Sequence, residues 1–237
     1  MLPEAETKPT LFDDYVENYD AACDCGLRFA GENRDHFAQR RVEYTGLRAE
    51  GPSGVRWVMD FGCGPGHATP HLVRSFPRAK VLGIDNANAM VEAARQKYGG
   101  DRARFICADL DPRQHRADLV YCNGVFHHIP PADRARVARD LFDCLSPGGQ
   151  IALWENNPWN PGTRLVMSRI PFDRDAIPLP YRETQVLLRS AGFRIRETTF
   201  HFYFPSLLKA LRRLEPLLRR VPLGGQYCVL AEKPASP

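Results

Sequence analysis

Residues 55–66 read Val55-Arg-Trp-Val-Met-Asp60-Phe-Gly62-Cys-Gly64-Pro-Gly66. A short apolar run of strand formers ends on an acid and then on glycines at alternate positions. Glycine lets a chain turn sharply and approach a ligand closely, because no Cβ intervenes. The stretch therefore predicts a strand running into a ligand-binding turn at the carboxyl edge of a sheet. Further along lie four more short apolar runs, at residues 79–85, 103–108, 117–122 and 149–154. Amphipathic helical stretches at 67–76, 87–98 and 132–145 separate most of them. Strands alternating with helices imply βαβ units and a parallel sheet, since parallel neighbours need a crossover connection. Continuous apolar strands fit a sheet covered on both faces.

The flanks read differently. Phe12, Tyr15, Val16 and Tyr19, then Phe37, Arg41 and Tyr44, recur at helical spacing. Residues 1–50 are thus expected to form a helical cap, and residues 51–155 the core. Residues 156–192 are expected to supply a proline- and aromatic-rich irregular insertion on the substrate side, followed by a helix. Residues 193–237 are expected to complete the sheet with strands at 193–204 and 226–232, joined by a basic amphipathic helix near 206–220.

The bulk composition narrows the function. With 237 residues, 43% of them hydrophobic, the chain has enough apolar content for one packed α/β domain. No apolar run approaches the ~18 residues that a membrane-spanning helix needs. The net charge of +4 is local, because Lys209, Arg212, Arg213, Arg219 and Arg220 face only Glu215 within 206–220. That argues against nucleic acid as a partner and leaves peripheral membrane contact open for this helix. The opening residues lack a signal-peptide h-region, and the cysteines sit mostly in apolar runs as reduced thiols. Both features predict a cytoplasmic protein. Cys23 and Cys25 have no matching Cys or His pair nearby, so no metal site is assigned.

Asp60 and Asp85 close the first two strands and Asp109 follows the third. In a parallel sheet all three carboxylates reach the same edge. That much negative charge repels a pyrophosphate and suits a ligand carrying an ammonium, a sulfonium, a ribose diol and an amine.

The run V-M-D-F-G-C-G-P-G resembles motif I of the class I S-adenosylmethionine (SAM) dependent methyltransferases, and the resemblance covers roughly residues 55–155. A dinucleotide enzyme wants G-x-G-x-x-G, and here the third glycine comes one residue too early. The resemblance implies a Rossmann-like, doubly wound α/β fold with a seven-stranded, mostly parallel sheet whose last strand is antiparallel. SAM would be the cofactor and S-adenosylhomocysteine its product. Asp60, Gly62, Gly64, Gly66 and Asn123 would meet the methionyl part, Asp85 with Asn86 the ribose, and Asp109 with Leu110 the adenine. The segment Phe12-Asp-Asp-Tyr-Val-Glu-Asn-Tyr19-Asp also resembles the opening of small-molecule members. That adds Tyr19 on the cofactor side and Tyr15 on the acceptor side.

The chemistry is expected just past the fourth strand, in Asn123-Gly-Val-Phe-His-His-Ile-Pro130. His127 and His128 are the candidate bases, since imidazole titrates near neutral pH. After the fifth strand, Glu155, Asn156, Asn157 and Trp159, with Arg164 and Arg174 beyond, are the candidate substrate wall. Glu155-Asn-Asn-Pro-Trp159 lacks the second proline of the adenine-methylating motif and follows the wrong strand, which argues against nucleobases. The reading favours O-methylation of a small-molecule acceptor, with acidic and lipid-linked acceptors both open. C-methylation, or a SAM-fold protein with a non-methylating or regulatory role, is the alternative.

Overall fold

The computed structural model describes residues 11–15, 19–28, 30–49, 54–108, 110–111 and 114–235. Seven strands form one sheet in the order β3-β2-β1-β4-β5-β7-β6. They are β1 (Trp57–Phe61), β2 (Lys80–Asp85), β3 (Ala103–Cys107), β4 (Ala117–Asn123), β5 (Leu145–Asn156), β6 (Arg194–His201) and β7 (Gln226–Glu232). β1 to β5 pair in parallel, and β7 runs antiparallel to both β5 and β6. This is the Rossmann-like fold with the expected reversed last strand.

Both sides of the central strands are apolar, and that is why the sheet is buried twice. Met59, Val120, Cys122, Ile151, Leu153 and Val229 point to one side, where α5 (Pro131–Cys144) and α7 (Tyr181–Ser190) bring Leu141 and Leu188. Their chain neighbours Val58, Leu119, Tyr121, Ala152, Trp154 and Cys228 point to the other side. There α2 (Arg34–Arg48) and α3 (Thr69–Ser75) supply Val42, Tyr44 and Leu72. This is the period-two geometry of a strand applied to a sequence with no polar face. Tyr98 of α4 (Asn88–Tyr98) packs beside Phe105 of β3.

Among the described residues the N-terminal region is helical as expected, in a 3₁₀ helix (Leu11–Tyr15), α1 (Tyr19–Leu27) and α2. The side chain of Asn33 accepts a hydrogen bond from the His36 amide (2.9 Å) and fixes where α2 starts.

Three local expectations need correcting. The stretch after β5 is not irregular throughout. It holds α6 (Pro161–Arg169), started by Asn160, whose side chain accepts from the Thr163 amide at 2.9 Å, and then a 3₁₀ turn at Pro171–Asp173. An Asn-Pro pair is a helix start, because proline at the first helical position needs no N–H partner. The basic segment is not one α-helix but a 3₁₀ helix (Ser206–Leu214), irregular at Leu208, followed by the short α8 (Glu215–Leu218). β5 also starts earlier than expected, at Leu145, and includes the Ser-Pro-Gly-Gly sequence.

Candidate functional site

The glycine turn is held open by backbone conformation. Gly62, Gly64 and Gly66 have φ of +69°, +50° and +81°, the left-handed region that side chains avoid. A Cβ on Gly64 would meet no protein atom within 4 Å. The turn therefore fronts a space, and a cavity of about 600 Å³ lies there. Gly62, Cys63, Gly64, Asp60, Asn123 and Tyr19 form its sheet-edge end.

Two buried oxygens at this end have no hydrogen-bond partner: Oδ2 of Asp60 and Oδ1 of Asn123. Such atoms are costly to leave unpaired, so they mark where a polar ligand would be received. Burial, reinforced by the nearby charge of Asp85, pushes the Asp60 carboxyl up to about 7, against the pull of Arg41. Asp85 is also raised by burial, although its oxygens accept from the amides of Gly64 (2.8 Å) and Ala87 (3.0 Å). Asp85 thus braces the glycine turn directly. The N-terminal segment closes on the same edge, where Oδ1 of Asp13 accepts from the Ala89 amide at 2.8 Å, at the start of α4.

Both signs of charge face the cavity: Glu43, Asp60, Asp173 and Glu215 line it together with Arg34, Arg40, Arg41, Arg212 and Arg219. Arg34 is paired with Asp20 and Asp24, and Arg212 with Glu32. Arg41 instead donates to neutral oxygens, Gln226 Oε1 at 2.9 Å and the Tyr121 hydroxyl at 3.3 Å. Arg219 lies over the Tyr44 ring, 4.9 Å from its centroid. Among the described residues neither Arg41 nor Arg219 forms a salt bridge. His201, also on this wall, is held neutral with its pKa pushed down to about 3 by burial and by Arg219 and Arg40.

A methyltransferase-domain family model matches residues 58–149. The chain is 38% identical over 119 residues to the trans-aconitate 2-methyltransferase of Variovorax paradoxus, covering 48% of this chain but only 44% of that protein. It is 30% identical over 184 residues to the enzyme of the same name from Escherichia fergusonii, covering 72% of this chain and 71% of that one. The chain belongs to the class I SAM-dependent methyltransferases. In fold, this methyltransferase resembles a SAM-dependent methyltransferase from Archaeoglobus fulgidus (TM-score 0.66, 16% identity, 87% of this chain and 97% of that one). It also resembles an O-methyltransferase family protein from Burkholderia thailandensis (TM-score 0.66, 19% identity, 97% and 65%). SAM is its cofactor. The Asp60 carboxyl beside the glycine turn fits a cationic group of that molecule, and the orphaned Asp60 and Asn123 oxygens fit a hydrogen-bonding ligand.

The methyltransferase's other expected residues fall into several places. Asn156 lines the cavity and accepts from Gln226 Nε2 at 2.9 Å, and Tyr19 lines it while stacking on Phe172 (5.0 Å). Tyr15 packs edge-on against Phe172 (5.6 Å), and Leu110 packs against the core. Asn86 is exposed, and Asp109 lies outside the described residues. Asn157 is corrected from substrate wall to brace, since it is buried and its amide donates to the carbonyls of Pro222 and Gly224. Arg164, Arg174 and Trp159 are likewise corrected: all three are exposed and stand apart from the cavity lining. Arg41 and Arg219 are among the arginines that line the cavity. Arg41 was hidden in the sequence because it occupies an apolar-phase position of α2.

Glu155 and the histidines form one network. The Glu155 carboxylate, with no exposed surface, accepts from the Phe126 amide (2.8 Å) and pairs with Nδ1 of His127 at 2.6 Å. Burial alone would strip the His127 proton, but Glu155 and Asp173 outweigh it and push the ring up to about 10. A ring that holds its proton so firmly is a charged donor near neutral pH, not the base expected of it. Asp173 Oδ1 lies 3.3 Å from His128 Nε2 and 3.7 Å from His127 Nε2. Burial opposes its charge, yet the two histidines hold its carboxyl below the ordinary range. Three such ligand atoms within 4.8 Å of one another have the composition of a divalent-cation site. A ligating imidazole must be neutral, however, and the firmly held His127 proton favours the ion-pair state.

Gly64→Ala should separate the turn's function from its packing. The added methyl meets no protein atom, so the cost to the fold is the ~1–2 kcal/mol of a left-handed alanine. Calorimetric titration is expected to show SAM binding weakened more than the thermal midpoint falls.

Proposed function

We propose that this methyltransferase esterifies a carboxylate of a small acidic molecule, and that the glycine turn with Asp60 and Asn123 receives the cofactor while Arg41 and Arg219 receive the acceptor. The observation behind this reading is the pair of guanidiniums that line the cavity and, among the described residues, form no salt bridge. Desolvated arginine is matched to carboxylate by charge and by its fork of donors. The trans-aconitate 2-methyltransferase names of the relatives support the same chemical class.

The cofactor supplies an activated methyl group. The protein must place a nucleophilic oxygen in line with it, and most of the rate comes from that placement. A carboxylic acid is already ionised near pH 7, so its oxygen needs no base. That suits a site whose innermost imidazole is a fixed cation. Arg41 anchors the acceptor from α2, and Gln226 and Tyr121 hold the Arg41 side chain in place.

Incubation with SAM and a panel of di- and tricarboxylic acids, trans-aconitate among them, is expected to yield methyl esters detectable by mass spectrometry. Arg41→Leu should raise KM for the acid about 10- to 100-fold, the worth of a charge-assisted contact, with a smaller change in SAM affinity. Turnover of neutral phenols with none of any acid would overturn the assignment.

A second reading rests on the Asp173–His128 contact. A carboxylate beside a half-buried imidazole is also the arrangement that would take a proton from a hydroxyl acceptor. The same panel extended to hydroxylated compounds distinguishes the two.

A further inference from the structure

The segment from Ser206 to Leu223 is unlike the rest of the molecule. Neither its 3₁₀ helix nor α8 contributes a single buried residue. Leu207 is 91% exposed and Leu217 81%, while Leu208, Leu211 and Leu214 are each 40–47% exposed. A few scattered leucines on a surface need no explanation, but a continuous run of them does.

The charges in the segment divide by direction. Arg212 and Arg219 turn inward to the cavity, and Glu215 accepts from the amides of Tyr203 and Phe204. The exposed charges are Lys209, Arg213 and Arg220, all positive. The segment's one acid is therefore spent internally, and what faces outward is apolar and cationic. A soluble acidic protein would satisfy the cations, but its charged surface would not cover the run of leucines. A second copy of the same face would meet like charge. An anionic bilayer satisfies both features, taking leucines between its headgroups and cations against its surface charge.

We infer that residues 206–223 dock the enzyme peripherally on an anionic lipid surface through their outward side, while the inner side of the same segment forms cavity wall. Among the described residues no helix is long and apolar enough to cross a bilayer, so the contact is with the surface.

The test is sedimentation of the full chain with phosphatidylcholine vesicles and with vesicles that also contain phosphatidylglycerol. Binding is expected only to the second kind and should fall as salt is raised. Leu207→Ser with Leu217→Ser, and separately Lys209→Glu with Arg213→Glu, should each weaken it by tenfold or more. All four residues are exposed, so thermal melts of both variants should match the parent. Absence of binding to either vesicle, or equal binding to both, would overturn the proposal. So would a dimer in lipid-free light scattering that the leucine variant converts to monomer, because the face would then be a self-interface.

Discussion

His127→Ala should unfold more readily than the parent by about 3–5 kcal/mol, because it strands a carboxylate that has no exposed surface. At about 2–4 °C per kcal/mol for a chain of this size, the thermal midpoint falls by roughly 10 °C. The pH dependence identifies the cause. The folded-state proton on His127 is held to about 10, against about 6.5 for a free imidazole. A group whose affinity for a proton is raised on folding stabilises fully below its unfolded value and loses that effect as pH climbs through its folded one. Parental stability should therefore decline from about pH 7 to pH 10, and the His127→Ala midpoint should lack that slope. Equal midpoints at pH 7 would mean that the His127–Glu155 contact adds nothing to stability. His128→Ala, at a half-buried ring, should leave the midpoint close to the parent. On carboxylic acids its turnover should stay within a few-fold, whereas a loss of about 10²–10⁴ would point to a hydroxyl acceptor that needs a base.

Asp60→Asn should separate binding from stability in opposite directions. With its carboxyl raised to about 7, Asp60 stabilises the fold only below its unfolded value near 4 and is a growing liability as pH rises to 7. The amide carries no such penalty, so the variant's midpoint at pH 8 should exceed the parent's by several degrees, about 5 °C. SAM affinity should drop about 10- to 100-fold, the worth of a charged hydrogen bond. In the parent, a cationic ligand selects the ionised carboxyl, so affinity should fall up to about tenfold per pH unit below 7, and Asp60→Asn should flatten that profile. A variant that loses stability and keeps its affinity would remove Asp60 from the cofactor site.

The strands were legible because each is a short apolar run ending in a turn signal, and because both of their faces are apolar. The glycine turn and its acids were legible for a chemical reason: few backbones need left-handed conformation at three alternate positions. The acceptor side was not. Arg164 and Arg174 looked like the cationic wall because they lie in the segment expected to cover the site, yet both side chains leave it. Arg41 and Arg219 reach the cavity only because α2 and the residues after α8 fold back over the ends of β4 and β7, and no local spacing encodes that. His127 and His128 were found, but the roles of the two rings are set by Glu155 and Asp173. These partners lie 28 and 46 residues further along the chain from His127.

The placement of β7 bears on how the molecule is made. It is a late strand in sequence, yet it inserts between β5 and β6 and is the neighbour through which β6 joins the sheet. During synthesis β1 to β5 can pair as they emerge, while β6 and α7 wait for the strand that links β6 to the edge of β5. Pairings such as Gln150 with Glu232 span most of the second half of the chain, and contacts of that separation form slowly. Gln226, the residue that positions Arg41, arrives with this last strand. The nascent chain therefore has its glycine turn before it has the cavity wall that Gln226 braces, and in that interval the exposed edge of β5 is where aggregation or chaperone capture would begin.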